Sequence, residues 1–238
     1  MSPRRLASTA PPPTAATPEA TSSTVRTRPA LWLVRHGEST WNIAGLAQGH
    51  NDEAELTERG LEQAAEAAGH FHGRAVRAIY ASDLLRARQT AAVFAAALGL
   101  PVRTDARLRE RSLGVLEGSL SITIGESVTG LAGGLVIDPD ARPPAGESVR
   151  DLYLRAAEFC DDLAARLRGD RDASPGSAEA GLGYAEGDVL VIAHGGTVRV
   201  LDAYLRDVAV EQMPWRPVGN AAIVQIPEFG SQPRGGNR

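Results

Sequence analysis

The sequence predicts an α/β fold with a mostly parallel central sheet, because strand-like and helix-like segments alternate along its 238 residues. Residues 30–34 and 189–193 are short, uninterrupted apolar runs, which are typical of strands buried on both faces. Apolar side chains also recur at helical spacing, most clearly at Leu152, Ala156 and Phe159. With 43% hydrophobic residues, the chain can bury the core of a single domain.

The elements of the N-terminal half are predicted from their end signals. A helix is expected after Thr57, a residue type that caps helix N-termini, and a strand at Val76–Ala81. Ser82 and Asp83 are expected to cap the next helix, which Gly99 ends.

The C-terminal half contains a second set of such signals. Ser148 and Asp151 have the spacing of a capping box and predict the start of a long helix. A further helix is expected to reach Leu205, and a last strand is expected at residues 221–226.

We predict one domain at residues 30–226 with a small irregular insertion at about 119–145. Glycine and proline are frequent in this insertion and no period is sustained, so we expect a loop-like lid. Residues 1–29 are mainly Pro, Thr, Ala and Ser, which predicts a disordered N-terminal tail. Residues 227–238 are predicted to form a flexible C-terminal tail.

All 25 basic residues are arginines, and the chain has no lysine. This excludes Schiff-base enzymes, pyridoxal-phosphate enzymes and phosphate-loop nucleotide hydrolases, all of which need a lysine amine. A net charge of -4 gives no electrostatic reason to expect nucleic acid as a partner. No apolar run is long enough to span a membrane. Cys160 has no second cysteine to pair with, which fits a reducing compartment, and we predict a cytoplasmic protein.

Two histidines follow the two apolar runs directly. His36 begins His-Gly-Glu-Ser after the first run, and His194 begins His-Gly-Gly-Thr after the second. Ligands of open α/β sheets bind at the carboxyl ends of the strands, so both histidines are expected at the ligand-binding edge. Glycine after each histidine permits a tight turn and a close approach. A lone histidine is more often structural, but two in the same context indicate a site.

Two further residues are candidates on chemical grounds. Arg86 lies in the first turn of a predicted helix, where a guanidinium and free backbone N–H groups together favour an anion. Glu110 has a carboxyl group able to donate a proton. Considered singly, each is also compatible with an exposed surface residue.

Four segments together resemble the histidine phosphatase superfamily, which has the phosphoglycerate mutase-like fold. They are Leu-Val-Arg-His-Gly-Glu-Ser at 33–39, Ser-Asp-Leu-Leu-Arg-Ala at 82–87, Leu-Arg-Glu at 108–110 and Ala-His-Gly-Gly at 193–196. They occur in the family's order over roughly residues 30–226. The resemblance implies a three-layer α/β/α sandwich.

The resemblance also implies a phosphomonoester hydrolase that acts through a phosphohistidine. His36 is then the nucleophile and Glu110 the proton donor. The substrate-binding residues implied by the family's motifs are Arg35, Asn42, Gln48, Arg86 and His194. No metal or other cofactor is expected. The expected partner is a small phosphorylated metabolite, a sugar phosphate or phosphorylated polyol, and a homodimer is possible.

Two alternatives remain open. A phosphoglycerate-type mutase belongs to the same superfamily, but residues 119–141 contain no cation with which a closed lid would hold an intermediate. The alternative of another class is a serine-hydrolase-like or non-catalytic α/β domain. A serine hydrolase needs Gly-x-Ser-x-Gly, and none of the three Gly-Glu-Ser triplets has the second glycine.

Overall fold

The computed structural model describes residues 28–125, 129–172 and 186–230. Most of the predicted N-terminal tail at 1–29 and of the predicted C-terminal tail at 227–238 lies outside the described residues, as do positions 126–128 of the predicted lid. In the described part of the chain, no helix is both long enough and apolar enough to cross a membrane.

A five-stranded sheet forms the centre of the domain. Its strands are β1 (Leu31–Arg35), β2 (Val76–Ala81), β3 (Val102–Thr104), β6 (Asp188–Ala193) and β7 (Ile223–Ile226). They lie in the order β3-β2-β6-β1-β7, and the first four are mutually parallel. The edge strand β7 runs antiparallel to β1. Both predicted apolar runs are therefore neighbouring central strands.

Helices cover both faces of this sheet. The helices are α1 (Thr40–Ile43), α2 (Glu58–Gly69), α3 (Leu85–Leu98), α4 (Val149–Asp172) and α5 (Gly195–Leu205). Trp32 and Val34 of β1 pack with Phe94 of α3 on one face. Leu31 and Leu33 belong to the other core, which α4 and α5 cover. The alternation along β1 thus places a core on each side, and the predicted three-layer α/β/α sandwich is confirmed.

Most predicted helix ends agree with the structure, and one does not. Thr57 accepts a hydrogen bond from the Gly60 N–H at 2.9 Å, and Gly99 ends α3 in the left-handed conformation at φ 66°. The N-cap residue of helix α3, however, is Leu84, whose own side chain forms no capping hydrogen bond. The predicted cap at Ser82 and Asp83 is therefore wrong. Both side chains are engaged elsewhere, Ser82 with His194 and Asp83 with Arg109.

Two small β features were not predicted. Strand β3 has only three residues and pairs with β2 at the sheet edge. The lid region contains an antiparallel pair, β4 (Leu131–Ala132) and β5 (Leu135–Val136). Both are too short to show a period in the sequence.

Asp188 ties the first strand to its neighbour. This nearly buried carboxylate accepts hydrogen bonds from the Ala30 N–H at 2.9 Å and from the Trp32 indole N–H at 2.8 Å. It therefore fixes the start of β1 against β6, and with it the register that brings the two histidines to the same edge.

We expect Asp188→Ala to lower the free energy of unfolding by about 1–3 kcal/mol, because it leaves buried donors without an acceptor. Urea unfolding measures the loss. Asp188→Asn keeps one acceptor oxygen and should lose less. The control variant Asp202→Ala, which removes a solvent-accessible ion pair with Arg206, should change stability by less than about 1 kcal/mol. Equal losses for Asp188→Ala and Asp202→Ala would contradict this account.

Candidate active site

His36 and His194 meet at the carboxyl edge of the sheet. Arg35, the last residue of β1, is opposite Ala193, the last residue of β6, so the next residue of each strand leaves the sheet at the same level. The two imidazole rings lie 5.2 Å apart between centroids, and both side chains are buried. The predicted pair of histidines therefore forms one site.

The surroundings of His36 favour a neutral ring with a free Nε2. Its Nδ1 lies 2.7 Å from the Gly37 carbonyl oxygen, and because a carbonyl only accepts, Nδ1 carries the proton. Burial holds the pKa of His36 well below its ordinary value, and the positive charges of Arg86 and Arg35 lower it further. The Nε2 lone pair is therefore available as a nucleophile at neutral pH.

His194 is oriented by the serine that the sequence assigned to a helix cap. Its Nε2 lies 2.8 Å from Ser82 Oγ, while its Nδ1 is buried and has no hydrogen-bond partner among the described residues. Burial is the main reason why the pKa of His194 lies well below its ordinary value. When the Ser82 hydroxyl donates to Nε2, Nδ1–H is left as a donor for a ligand.

Arg86 is completely buried in the first turn of α3. Its two terminal nitrogens donate to the carbonyls of Gly49 at 2.9 Å and Asn51 at 2.8 Å, and this holds the loop after α1 against the site. Its Nε has no partner in the described chain. Burial lowers the pKa of Arg86 to about 10, so the side chain is still a cation at neutral pH.

Arg35 is a second, partly buried cation beside the histidines. Its Nη1 donates to the Val218 carbonyl at 2.5 Å, and its Nε is buried without a partner among the described residues. Burial lowers the pKa of Arg35, whereas the charge of Glu110 acts in the opposite direction. Arg35, Arg86 and His194 thus each retain one unsatisfied buried nitrogen.

This state of Arg35 and Arg86 differs from that of several arginines nearer the surface. Arg107 and Arg109, for example, bind carboxylates at 2.6–2.8 Å. Arg86, which is fully buried, and Arg35, whose Nε is buried, have no carboxylate partner within the ion-pair distance in the described residues. An unsatisfied buried polar group costs about 1–3 kcal/mol, and more when it is charged. An anionic ligand would remove that cost.

Glu110 lies against the start of α5. One carboxylate oxygen accepts the Gly196 N–H at 2.9 Å and the other accepts the Arg111 N–H at 2.8 Å. The charge of Glu110 is felt by both Arg35 and Arg86. The carboxyl group therefore belongs to the same site as the histidines, rather than to the surface.

The backbone that carries Glu110 is held by a side chain of α4 that the sequence reasoning missed. Arg155 donates to the carbonyls of Arg107 and Arg109 at 2.8 Å and of Glu110 at 2.7 Å, and it also binds Glu147. His50 is half-buried, with its Nε2 2.8 Å from the Glu110 carbonyl oxygen. These contacts fix the backbone that carries the Glu110 side chain.

Gly37 and Gly196 allow other groups of the protein, rather than a ligand, to approach the backbone closely. A Cβ on Gly37 would lie 2.2 Å from the Gly60 carbonyl oxygen, and one on Gly196 would lie 2.2 Å from a Glu110 carboxylate oxygen. Gly195 differs, because the atoms nearest to a Cβ there are those of Arg199 and Arg35, at the ordinary contact distances of 3.5–3.8 Å. Gly196 thus makes room for Glu110.

Asn42 and Gln48 lie at the side of the site, joined through Ser39. The Ser39 hydroxyl is 3.1 Å from both the Asn42 and the Gln48 side-chain oxygens. Asn42 also accepts from the Asn220 amide at 3.0 Å, and that same amide donates to the His36 carbonyl. The Asn42 side-chain oxygen is therefore occupied, which leaves its NH₂ group as the donor.

The structure places all seven predicted site residues around the carboxyl edge of β1 and β6. Ser82, Arg155 and Asn220 are supporting residues that sequence reasoning missed, since nothing in their local pattern differs from that of a cap, a helix surface or a loop. Among the described residues, no three His, Cys, Asp or Glu side chains form a group that could hold a metal ion.

We expect stability to fall as the pH decreases from about 6.5. The unfolded histidines take up protons near their ordinary pKa of 6.5, whereas buried His36 and His194 do not, so acid favours the unfolded state by up to about 1.4 kcal/mol per pH unit for each. Carboxylates with a lowered pKa, such as Asp83, lose their contribution only at lower pH. Urea unfolding at pH 7, 6 and 5 tests this.

The matched variants for this pH series are His36→Gln combined with His194→Gln, and His72→Gln at an exposed position. The double variant should show a smaller loss of stability between pH 7 and 5 than the wild type, and the His72 variant an unchanged loss. A double variant with the wild-type pH dependence would contradict the assignment to these two buried rings.

Comparison with known proteins identifies the family. The sequence profile of the histidine phosphatase superfamily (branch 1) matches residues 31–234. A probable phosphoglycerate mutase GpmB from Cronobacter sakazakii is 39% identical over 137 residues, which are 56% of this chain and 63% of that protein. A GpmB from Yersinia pestis is 40% identical over 146 residues, 57% and 64% respectively. The chain thus spans less than two thirds of the length of these curated relatives.

A solved structure shows the likeness over a longer stretch. The mycobacterial glucosyl-3-phosphoglycerate phosphatase in complex with VO3 is 31% identical, with a TM-score of 0.66, covering 83% of this chain and 92% of that one. The expected resemblance is confirmed by the profile and by this shared architecture. The chain belongs to the histidine phosphatase superfamily.

Proposed function

We propose that this protein is a metal-independent phosphomonoester hydrolase that transfers the phosphoryl group to His36 and then to water. The observation that carries the proposal is the set of unsatisfied buried nitrogens on Arg35, Arg86 and His194, next to a neutral His36. A transferring phosphoryl group spreads its negative charge over three equatorial oxygens. Three preorganised donors around one nucleophile match that need.

In the first step, Nε2 of His36 attacks the phosphorus atom and forms a P–N bond as the P–O bond to the alcohol breaks. The proton stays on His36 Nδ1, which donates it in a hydrogen bond to the Gly37 carbonyl and so keeps the ring oriented during the displacement. Glu110 donates a proton to the leaving oxygen, so that an alcohol rather than an alkoxide departs. Arg35, Arg86, His194 and the Asn42 amide hold the phosphoryl oxygens, with Gln48 beside them.

In the second step, water takes the place of the alcohol. Glu110, now ionised, accepts a proton from the water as its oxygen attacks phosphorus, and the P–N bond breaks to release phosphate and neutral His36. The same carboxyl group serves both steps because the alcohol and the water occupy the same side of the phosphoryl group. Its two backbone hydrogen bonds, from Gly196 and Arg111, hold it there throughout.

The proposed substrate is a small phosphorylated metabolite of the sugar phosphate or phosphorylated polyol class. The lid supports a small, uncharged or hydroxylated leaving group, because residues 119–141 have no basic side chain. Hydroxyl groups of such an alcohol can bond to the many backbone groups of a Gly-rich lid. A glucosylated phosphoglycerate is the substrate named for one similar mycobacterial structure.

A phosphoglycerate-type mutase is the second candidate, favoured by the names of the curated relatives. A mutase must retain the phosphorylated enzyme and its intermediate long enough for the second transfer, which requires strong contacts from the lid. The absence of lysine and arginine from residues 119–141 favours hydrolysis instead.

His36→Ala should reduce phosphatase activity by at least about 10⁴-fold, since it removes the attacking atom. The assay is hydrolysis of p-nitrophenyl phosphate and of a panel of phosphomonoesters, with excess chelator present. Wild-type activity should survive the chelator. The mechanism would be contradicted if His36→Ala retained activity, or if the wild type lost activity in the presence of the chelator. Exchange of phosphate between the 2- and 3-positions of glycerate that exceeds hydrolysis would support the mutase.

Glu110→Gln should slow alkyl phosphates about 10²- to 10⁴-fold, because their leaving groups need a proton, and should slow p-nitrophenyl phosphate much less. The glutamine keeps the size of the side chain and one oxygen that accepts the Gly196 N–H. The ratio of kcat for alkyl and aryl substrates is the measurement. Equal losses on both would show that Glu110 is not the proton donor.

A further inference from the structure

Glu117 is a partly buried carboxylate beside the site that the mechanism above does not use. It lies just before the lid region at about 119–145, and one of its oxygens accepts hydrogen bonds from two separate segments of the chain. The donors are the His50 N–H at 2.9 Å, the Leu113 N–H at 3.0 Å and the Ser112 hydroxyl at 3.2 Å. One carboxylate oxygen therefore joins the loop after α1 to the segment that follows Glu110.

The bond from His50 places Glu117 behind the anchor of Arg86. The His50 N–H and the Gly49 carbonyl belong to the same planar, trans peptide unit, so the two groups point in opposite directions. Arg86 donates to this carbonyl at 2.9 Å, and Glu117 accepts from this N–H at 2.9 Å. One peptide group thus lies between a buried cation and an anion. Hydrogen bonds in such a chain polarise and strengthen one another.

This arrangement gives Arg86 a counter-charge without a direct ion pair. Burial lowers the pKa of Arg86, and Glu117 is among the carboxylates whose charge acts in the opposite direction. The Nε of Arg86 stays without a partner among the described residues, so it is still available to an anionic ligand. The approach of Glu117 requires glycine at position 49, which has a φ of 46° and where a Cβ would lie 2.2 Å from the Glu117 carboxylate oxygen.

The other two donors belong to the backbone that continues from the proton donor. Ser112 and Leu113 lie two and three residues after Glu110. His50 connects the same two segments a second time, because its ring Nε2 lies 2.8 Å from the Glu110 carbonyl oxygen while its N–H is bound by Glu117. The contacts of Glu117 therefore fix the segment of Glu110 against the loop that Arg86 holds.

We propose that Glu117 is a positioning residue that holds the proton donor Glu110 at a fixed distance from the phosphoryl-binding Arg86. This proposal rests on the proposed function, in which Arg86 binds the phosphoryl group and Glu110 protonates the leaving oxygen. Proton transfer needs the carboxyl group within hydrogen-bond reach of that oxygen, and a misplacement of about 1 Å can cost about 10²-fold in rate. Glu117 acts on catalysis through Glu110 and not by contact with the substrate.

The kinetic test compares Glu117→Ala and Glu117→Gln on glycerol 1-phosphate, an alkyl ester, and on p-nitrophenyl phosphate. Glu117→Ala should lower kcat for the alkyl ester about 10- to 100-fold, and should change its KM and the kcat for the aryl ester less than about threefold. Glu117→Gln keeps an acceptor oxygen and should recover most of the loss. Glu62→Gln, at an exposed ion pair, is the matched control and should resemble the wild type. Equal losses of kcat on both substrates would overturn the proposal.

A double variant shows whether the effect passes through the proton donor. In the Glu110→Gln background, Glu117→Ala should cost less than about threefold in kcat for glycerol 1-phosphate, because the group that Glu117 positions is already inactive. A further loss as large as that in the wild-type background would mean that Glu117 acts on stability or on another group, and would reject the proposed role.

Amide hydrogen exchange, followed by NMR, tests the placement without turnover. In Glu117→Ala, the amides of His50 and Leu113 should both exchange faster than in the wild type, whereas Glu62→Gln should leave both unchanged. Unchanged exchange at either amide would overturn the proposal. A wild type that hydrolyses no phosphomonoester would reject the proposed function, with the exchange result still measurable. Hydrolysis with unchanged exchange would reject only the role of Glu117. If Glu117→Ala unfolds, Glu117→Gln should show smaller changes in the same direction at both amides.

Discussion

Burial of guanidinium groups without carboxylate partners is the constraint on which the site depends. Desolvation lowers the pKa of both Arg35 and Arg86. Neither side chain has a carboxylate within ion-pair distance in the described residues. A carboxylate partner for each arginine would stabilise the folded state, but it would also compete with an anionic ligand. The fold instead holds these cations with backbone carbonyls of Val218, Gly49 and Asn51, which fix position without neutralising charge. Burial, together with these positive charges, holds the pKa of His36 well below its ordinary value and keeps the ring neutral.

The central strands and helix α4 hold the residues of the site in position. Central strands β1 and β6 end side by side within two apolar cores, so the backbone at His36 and His194 is rigid. On the other side, Arg155 of α4 fastens the segment of Glu110 through three carbonyls. His36 is thus held at the end of the central sheet, whereas Glu110 is held by α4 and by the N–H of Gly196. Preorganisation of this kind is what transition-state stabilisation requires.

The sequence predicted the central strands, the long helices and the residues directly after strands, because these have strong local signals. His36 and His194 follow uninterrupted apolar runs, and Thr57 and Ser148 cap as their spacing predicts. Strand β3, the direction of β7 and the true partner of Ser82 depend on contacts between distant segments, which local patterns do not contain. Arg155 was missed for the same reason, since an arginine on a helix is ordinarily a surface residue.

The start of α5 sets the position of Glu110 relative to His194. His194 directly precedes this helix, and the N–H of Gly196 in its first turn donates to the Glu110 carboxylate at 2.9 Å. A Cβ on Gly196 would lie 2.2 Å from a Glu110 carboxylate oxygen, so a larger residue there would displace the carboxyl group. The distance between the two groups is therefore set by backbone atoms and not by flexible side chains, which is the preorganisation that the proposed mechanism requires.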